Sequence, residues 1–207
     1  AARSPSRAAI PVYFTGSGLG IVVSGAAIPA LGDHWRTGWV GLGVAAGLAT
    51  WLSWRAATDG GTSTTTTGRA RVRPLWRTAA AYLLFATGYI TYITFLSAYL
   101  ADQEAPVVQV ALTWTVLGAA VAAVPTLWSR PIARWPGSTA LAAILAVLAG
   151  ASALALVSPA LPVVLASAAG YGATFLAVPA AITTIIKRDT PPDDWTATLA
   201  AFTTLFA

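Results

Sequence analysis

Long apolar runs alternate with short polar segments along the 207 residues of the chain. The clearest run, Thr78–Leu100, holds 23 residues without a charge and lies between Arg77 and Asp102. At ~1.5 Å per residue, a helix of this length measures about 35 Å and crosses a bilayer core of ~30 Å with some tilt. The same pattern predicts six complete spans and the start of a seventh. Their predicted positions are Ile10–Leu31, Gly38–Trp54, Thr78–Leu100, Val107–Trp128, Ser138–Val157, Ala160–Ile186 and a seventh, truncated span that begins near Trp195.

The composition excludes an ordinary soluble domain. Charged residues make up 9% and hydrophobic residues 57% of the chain, with a mean hydropathy of +0.70, whereas soluble proteins carry about 25% charge. Strands of a membrane barrel alternate in hydropathy over ~10 residues, but these apolar runs are longer and do not alternate. Because helices satisfy their own backbone hydrogen bonds in lipid, the sequence predicts an all-α membrane protein. The absence of cysteine excludes disulfides and thiolate metal sites, and we expect no cofactor.

The two ends of the chain indicate a piece of a longer polypeptide. The sequence contains no methionine, begins with the polar segment AARSPSR and ends inside an apolar run at Phe206 and Ala207. We therefore expect the lipid bilayer and further helices of the same polypeptide as packing partners. Alanine richness, many arginines and a single lysine indicate a bacterial source, which favours a multi-pass protein of the cytoplasmic membrane.

The basic residues separate the polar segments into two alternating sets. Eleven of the twelve lie in one set, and Arg36 is alone in the other. By the positive-inside rule the first set is cytoplasmic, so the net charge of +5 indicates membrane topology rather than a nucleic-acid partner. The cytoplasmic set comprises residues 1–9, 55–77, 129–137 and 187–194, and the external set comprises 32–37, 101–106 and 158–159.

Two further patterns support these boundaries. Residues 55–77 hold five arginines and the low-complexity run Thr62–Thr67, which predicts a polar linker between two halves. The chain then divides into residues 1–54, the linker 55–77, and residues 78–207. Eight of the nine tryptophans lie at or within about one turn of a predicted span end, as expected for an aromatic belt at the membrane surface.

The third predicted span carries an aromatic stripe at helical spacing. The stripe comprises Tyr82, Phe85, Tyr89, Tyr92, Leu96 and Tyr99. Tyr82 and Tyr99 lie near the span ends and fit an interfacial belt. Tyr89 and Tyr92 lie near mid-depth, where a phenol needs water or a hydrogen-bond partner. Two interpretations stay open for this pair: its side chains line a polar cavity, or they form hydrogen bonds across a helix contact.

Three further side chains are candidate substrate contacts beside Tyr89 and Tyr92. Thr94 offers a hydroxyl near the stripe, and Trp114 is the one tryptophan that lies about two turns inside its span. Tyr171 lies close to mid-depth in the sixth span, between two glycines that leave room around its ring. For Trp114 and Tyr171, the alternative is a packing contact or an interhelical hydrogen bond.

Small residues at helical spacing predict close contacts between helices. The predicted contact glycines are Gly16, Gly20, Gly43 and Gly47, and Gly18 with Gly25 forms a second edge of the first span. A phosphate-binding loop is the alternative for the Gly-Ser-Gly-Leu-Gly segment, but it requires a preceding strand and a βαβ unit. Farther along, Pro179 predicts a kink in the sixth span, and Asp193 or Asp194 is a candidate cap for the seventh helix.

Three segments carry a family resemblance: YFTGSGLGIVVSG followed by HWRTGW, GYITYITFLSAYL after a basic linker, and VALTWTVLGAAVAAVPTLWSRPIARWPG. Together they resemble the YbfB/YjiJ branch of the major facilitator superfamily. The resemblance implies twelve helices in two six-helix halves around a central cavity, of which this chain supplies helices 5 to 10 and the start of helix 11. It also implies a secondary active transporter that moves a small molecule by alternating access.

The resemblance bears on two features of mechanism. Proton coupling is usual in the superfamily, yet no Asp, Glu, Lys, Arg or His lies inside a complete predicted span. Either the proton relay lies on the other helices or coupling is absent, and both remain open. SRPIARWPG occupies the place of a Gly-rich loop motif but lacks its Asp. Arg130 and Arg134 either contact helix ends at a cytoplasmic gate or only set the topology.

Two other classes of function are weighed against a transporter. An intramembrane serine protease needs a serine beside a base, but Ser17 and the single histidine, His34, are 17 residues apart, about 25 Å along a helix. A non-transporting membrane scaffold or receptor would have a blocked cavity. We therefore predict a transporter rather than an enzyme, with a small molecule as substrate.

Overall fold

The computed structural model describes residues 9–31, 34–58 and 68–206. Helices make up nearly all of this described part, and no strand occurs in it. The all-α prediction is therefore confirmed. The helices are α1 (Ala9–Leu31), α2 (Trp35–Thr58), α3 (Trp76–Asp102), α4 (Val107–Arg134), α5 (Thr139–Leu154), α6 (Leu161–Phe175), α7 (Ala177–Asp189) and α8 (Trp195–Phe206), with a 3-10 turn at Pro192–Asp194.

Three helical segments of the described residues are long and apolar enough to cross a membrane. They are α3, α4 and the combined segment Leu161–Asp189, which holds α6 and α7 in 29 residues. Two shorter apolar stretches, Phe14–Gly25 and Thr139–Leu154, lie in α1 and α5. Helices thus occupy every predicted span, while three spans meet the length and hydropathy of a membrane crossing.

The fourth helix extends beyond its predicted end. The sequence places a turn at residues 129–137, but α4 continues from the predicted end at Trp128 to Arg134, with Pro131 inside its last turn. Pro131 has no N–H to donate to the carbonyl of Leu127, so the end of the helix lacks one backbone hydrogen bond. The cationic Arg134 in the last turn interacts favourably with the helix dipole. The turn is consequently limited to a few residues, where Gly137 adopts a positive φ of 56°.

The sixth predicted span is divided in two. Helix α6 ends at Phe175 and α7 begins at Ala177, so the interruption lies at Leu176, just before Pro179. Proline has no N–H to donate to the carbonyl four residues earlier, which belongs to Phe175. The interruption therefore agrees with the kink predicted from Pro179.

The helices approach one another most closely at glycines. Helix α1 lies against α4, where a Cβ at Gly18 would be 2.5 Å from the carbonyl oxygen of Gly118. Helix α6 lies against α4 in the same manner, since a Cβ at Gly172 would be 2.3 Å from the carbonyl oxygen of Leu117. These contacts pack backbone on backbone, and the side chains of Leu117 and Val121 between them are fully buried.

The contact glycines of α1 differ from those predicted. Gly18 and Gly25 face α4, while a Cβ on Gly16 or Gly20 would meet no atom within 4 Å in the described structure. The same holds for the predicted contact glycines Gly43 and Gly47 in α2. Periodicity identifies two small-residue stripes on one helix, but it does not tell which stripe faces a given neighbour. A packing role for Gly16, Gly20, Gly43 and Gly47 stays a prediction.

Aromatic rings join α3 to α8. The Tyr82 ring is buried and lies 5.2 Å from the Phe206 ring and 6.3 Å from the Phe202 ring, centroid to centroid. The Tyr89 ring lies 5.1 Å from the same Phe206 ring. Tyr82 therefore packs against α8 inside the bundle, and its place in an interfacial belt stays a prediction.

Candidate functional site

The predicted substrate contacts Tyr92 and Tyr171 lie face to face between α3 and α6. Their ring centroids are 4.0 Å apart with an interplanar angle of 12°. The Tyr171 ring, which is 1% exposed, also lies 5.4 Å from the Phe175 ring. Gly170 and Gly172 flank Tyr171, but each faces another helix backbone or side chain and not open space. We call Tyr89, Tyr92 and Tyr171 the tyrosine cluster.

Hydrogen bonds fix the hydroxyls of two of these tyrosines. The Tyr92 hydroxyl lies 2.7 Å from Ser167 Oγ, which donates its own proton to the Ala151 carbonyl at 2.6 Å. Because serine has a single hydroxyl proton, Tyr92 is the donor in the first bond. The Tyr171 hydroxyl donates to the backbone carbonyl of Tyr89. Both phenols are therefore satisfied within the protein, and they present ring surface and not hydroxyls to a ligand.

The third member, Tyr89, is different. Its side chain is half-buried, and its hydroxyl forms no hydrogen bond with another described residue. Tyr89 lines a hollow of about 470 Å³ between α3 and α5, here called the middle hollow, with Phe85, Gly88, Ser152 and Tyr171. Among the described tyrosines of the cluster, Tyr89 is the one whose hydroxyl is available to a molecule in this hollow.

A second hollow adjoins the first. It has a volume of about 350 Å³ and is here called the outer hollow, because it lies nearer the end of α3 that carries Tyr99. Its lining includes Tyr92, Phe95 and Tyr99 of α3, together with Ser152 of α5 and Leu156 just after that helix. The Tyr99 hydroxyl donates to the Ala155 carbonyl at 2.9 Å, so this phenol is satisfied as well. The two hollows present an apolar surface on which no carboxylate, ammonium, guanidinium or imidazole group lies.

The structure places the other two predicted contacts away from these hollows. Trp114 donates its indole N–H to Ser97 Oγ at 2.9 Å, and its Cβ lies where a side chain on Gly25 would be. It thus joins α1, α3 and α4 as a packing residue. Thr94 is exposed and lines neither hollow. A substrate contact at either residue stays a prediction.

The two arginines predicted at a gate, Arg130 and Arg134, are exposed on the last turns of α4. A different cation holds the turn between α4 and α5. Arg188, in the last turn of α7, donates to the Gly137 carbonyl at 2.8 Å and also pairs with the adjacent Asp189 at 2.7 Å. Gly137 and Arg188 therefore lie at the same end of the bundle, as the charge pattern predicts. A gating role for Arg130 and Arg134 stays a prediction.

An ionic contact joins the linker to the start of α8. Asp194 accepts the backbone N–H of Arg69 at 2.8 Å through Oδ1 and the guanidinium Nε of Arg71 at 2.7 Å through Oδ2. The backbone N–H of Arg71 also donates to the buried hydroxyl of Thr198 at 3.0 Å. We call this contact the linker clamp. The pKa of Asp194 is held below its usual range. The larger cause is the hydrogen bond from the Arg69 N–H, and the next is the hydrogen bond from the guanidinium of Arg71.

Sequence reasoning found Asp194 but gave it a different role. The sequence predicts a helix cap, in which the Asp194 carboxylate accepts hydrogen bonds from the first N–H groups of α8. Instead, both oxygens accept hydrogen bonds from linker residues. The alternating pattern of Arg69, Arg71 and Arg73 was a signal for an acidic partner, but a pairing across 123 residues is not readable from spacing.

Within the described ranges, no group of three His, Cys, Asp or Glu side chains could hold a metal ion. The site that remains is therefore a set of helix-borne aromatic rings beside apolar hollows, with polar atoms mostly satisfied inside the bundle. Such an arrangement binds by shape, ring stacking and a small number of hydrogen bonds.

A family model described as "uncharacterised MFS-type transporter YbfB" matches residues 1–207. No curated protein and no solved structure matches the chain. The family model covers the whole chain, and the helical structure with its long apolar segments fits a multi-pass membrane protein. The resemblance seen in the sequence is confirmed: the chain belongs to the YbfB family of major facilitator superfamily transporters.

Proposed function

We propose that this chain is part of a secondary active transporter that moves a small neutral molecule across the bacterial cytoplasmic membrane by alternating access. The observation that carries the proposal is the family match over the entire chain. In this account, residues 1–54 are the last two helices of the first half of the transporter. Residues 55–77 form the cytoplasmic linker, and residues 78–207 are the beginning of the second half. Helices of the same polypeptide complete both halves.

We place the substrate site at the tyrosine cluster, with Thr94 and Trp114 as further contacts. Two features of the described residues support this placement. The rings of Tyr92 and Tyr171 are stacked near mid-depth beside hollows of about 350 and 470 Å³. Tyr89 lines the larger hollow, and its hydroxyl forms no hydrogen bond with another described residue. No unpaired side-chain polar atom is buried among the described residues, so this hydroxyl is accessible and can form a hydrogen bond with a ligand or with water.

The chemistry of the hollows narrows the substrate class. No fixed charge lines either hollow, so an ion would lose hydration without gaining a counter-charge. Aromatic rings with satisfied hydroxyls favour a substrate with its own apolar or aromatic faces. We propose a neutral solute of this type, with one acceptor or donor for Tyr89. A proton relay, where one operates, would then lie on other helices.

Two alternatives make different predictions. A serine protease would cleave a membrane peptide and would lose activity on replacement of Ser17, whereas a transporter would keep counterflow. A scaffold or receptor would bind without transporting. Solute counterflow separates all three, because it requires alternating exposure of the site but no gradient of a coupling ion. Liposomes containing the full-length protein are preloaded with an unlabelled neutral aromatic solute that stabilises the protein, and uptake of its labelled form is followed. We expect transient accumulation above that of protein-free liposomes.

A further inference from the structure

A continuous groove follows α3 along its contact side with α5. Besides the middle and outer hollows, a third hollow of about 130 Å³ is lined by Arg77, Thr78 and Ser138, and we call it the basic-end hollow. The basic-end and middle hollows share Ala81 and Leu145, and the middle and outer hollows share Gly88 and Ser152. From Arg77 to Tyr99 the groove is about 33 Å long at ~1.5 Å per residue.

Small side chains make this groove. Ala81 and Gly88 on α3 face Ala142, Ala149 and Ser152 on α5, and a Cβ on Gly88 would meet no atom within 4 Å. Hydrocarbon side chains, among them Leu84 and Leu145, line much of the middle hollow beside Tyr89 and Tyr171. A long, narrow apolar channel at the bundle surface has the shape of an extended hydrocarbon chain.

The two ends of the groove differ in charge. At the basic end, the guanidinium carbon of Arg77 lies 5.5 Å from the ring centroid of Trp76, and this tryptophan is exposed. Among the described residues Arg77 forms no ion pair, since the two that occur join Arg71 to Asp194 and Arg188 to Asp189. The hydroxyls of Thr78 and Ser138 lie in the same hollow, and the Ser138 side chain makes no capping bond to α5. A guanidinium beside two hydroxyls is complementary to a phosphate group.

We propose that the groove between α3 and α5 binds an anionic phospholipid, with its phosphate at Arg77 and one acyl chain along the basic-end and middle hollows. The dimensions fit one leaflet. Half of a ~30 Å hydrocarbon core is about 15 Å, and the distance from Arg77 to Gly88 along the helix is about 16 Å. The chain end then lies beside Tyr89, at the edge of the tyrosine cluster. The acyl chain thus occupies part of the hollow assigned to the solute, so the two compete for it, and lipid binding measured without solute does not depend on transport.

Native mass spectrometry of the delipidated full-length protein tests this site. The protein is titrated with phosphatidylglycerol or with phosphatidylcholine of the same acyl chains, and bound lipids are counted. We expect several-fold more phosphatidylglycerol than phosphatidylcholine on the native protein. Arg77→Gln should reduce phosphatidylglycerol binding to the phosphatidylcholine level. Gly88→Leu should reduce binding of both lipids several-fold, because the new side chain fills the groove.

Matched variants serve as controls. Arg73→Gln removes an exposed arginine one turn earlier, outside the three hollows, and Gly150→Leu introduces the same side chain at an open position of α5 that lines no hollow. Both should bind lipid as the native protein does. Gly88→Ala, the milder variant, should give an intermediate loss if Gly88→Leu folds poorly. The proposal is overturned if Arg77→Gln and Arg73→Gln lose the same amount of phosphatidylglycerol binding, or if Gly88→Leu and Gly150→Leu bind equal amounts of lipid. Such a result is expected if another helix or a second copy fills the groove.

Discussion

The guanidinium of Arg71 lies 2.7 Å from Asp194, although the two residues are 123 positions apart in the sequence. The Asp194 side chain is only 10% exposed in this pair, and its second oxygen accepts the N–H of Arg69. A Cβ on the preceding Gly68 would lie 2.0 Å from the Asp193 carbonyl oxygen, so the backbones are also in contact. Residues 68–71 are thus folded against the start of α8 and hold it in place.

The first prediction concerns this linker clamp. Asp194→Asn should lower the melting temperature, because the amide cannot accept two hydrogen bonds with the strength of a carboxylate. Asp189→Asn is the control, since Asp189 forms an exposed pair with its neighbour Arg188 and such pairs contribute little. Thermal unfolding of the purified protein measures both. Equal melting temperatures for the two variants would contradict a structural role of the clamp.

The second prediction is the pH dependence of the same contact. The pKa of Asp194 is lowered in the folded state. Its carboxylate therefore stabilises the folded protein at pH values above the unfolded-state pKa of about 3.9. This contribution is lost as the pH falls through the lower folded pKa. Melting temperatures between pH 7 and pH 3 should therefore decline more steeply for the native protein than for Asp194→Asn. Parallel curves would show that another group dominates the acid response.

The third prediction is topological. Ser63, which lies outside the described residues, belongs to the predicted cytoplasmic linker, and Gln103 belongs to an external loop. These 207 residues contain no cysteine, so Ser63→Cys and Gln103→Cys each add a single thiol to this part of the protein, in a full-length background freed of any other cysteine. A membrane-impermeant maleimide should label Gln103→Cys in intact cells and Ser63→Cys only after permeabilisation. Labelling of Ser63→Cys from outside would overturn the orientation.

The fourth prediction separates the two glycine stripes of α1. Gly18→Ala should cost about 1–3 kcal/mol of stability, because its Cβ would lie 2.5 Å from the backbone carbonyl oxygen of Gly118. Gly16→Ala is the matched control on the same helix, where a Cβ meets no described atom within 4 Å. Unfolding of the full-length protein measures both. An equal loss at Gly16 would instead support the packing stripe predicted from the sequence.

The helices themselves were predictable because uncharged runs of the right length have few alternatives in lipid. Their ends were less predictable. The run before Trp128 is followed by polar residues and Pro131, yet α4 continues to Arg134, so neither a charge nor a proline marks the end of this helix. The interruption at Leu176, in contrast, follows directly from the missing N–H of Pro179.

The candidate site was predictable in part for a similar reason. Helical spacing placed Tyr89 and Tyr92 on one stripe, but it does not give the partner of each hydroxyl. Those partners, Ser167 for Tyr92 and the Tyr89 carbonyl for Tyr171, lie on other helices. Spacing also gave no sign that Tyr82 would be covered by Phe202 and Phe206. Contacts between distant segments depend on how helices are oriented, which a single sequence does not report.

The tyrosine cluster itself gives matched variants for the fifth prediction. Tyr92→Phe and Tyr171→Phe each remove a hydrogen bond within the protein, which should cost about 0.6 kcal/mol of stability. Tyr89→Phe removes a hydroxyl that bonds to no other described residue, so its melting temperature should match that of the native protein. Trp114→Phe should lower stability through its lost bond to Ser97. Thermal unfolding ranks the four variants.

Substrate affinity in Tyr89→Phe tests the central claim most directly. The measurement is equilibrium binding of the solute that shows counterflow, made on the native full-length protein and on Tyr89→Phe. If the tyrosine cluster contacts the substrate, the loss of one hydroxyl should weaken binding by about 0.5–1.5 kcal/mol, a few-fold to about tenfold, with an unchanged melting temperature. The account is contradicted if affinity is unchanged in Tyr89→Phe and also in Tyr92→Phe, Tyr171→Phe and Trp114→Phe, although the last three are less stable. These side chains would then be assigned to helix packing.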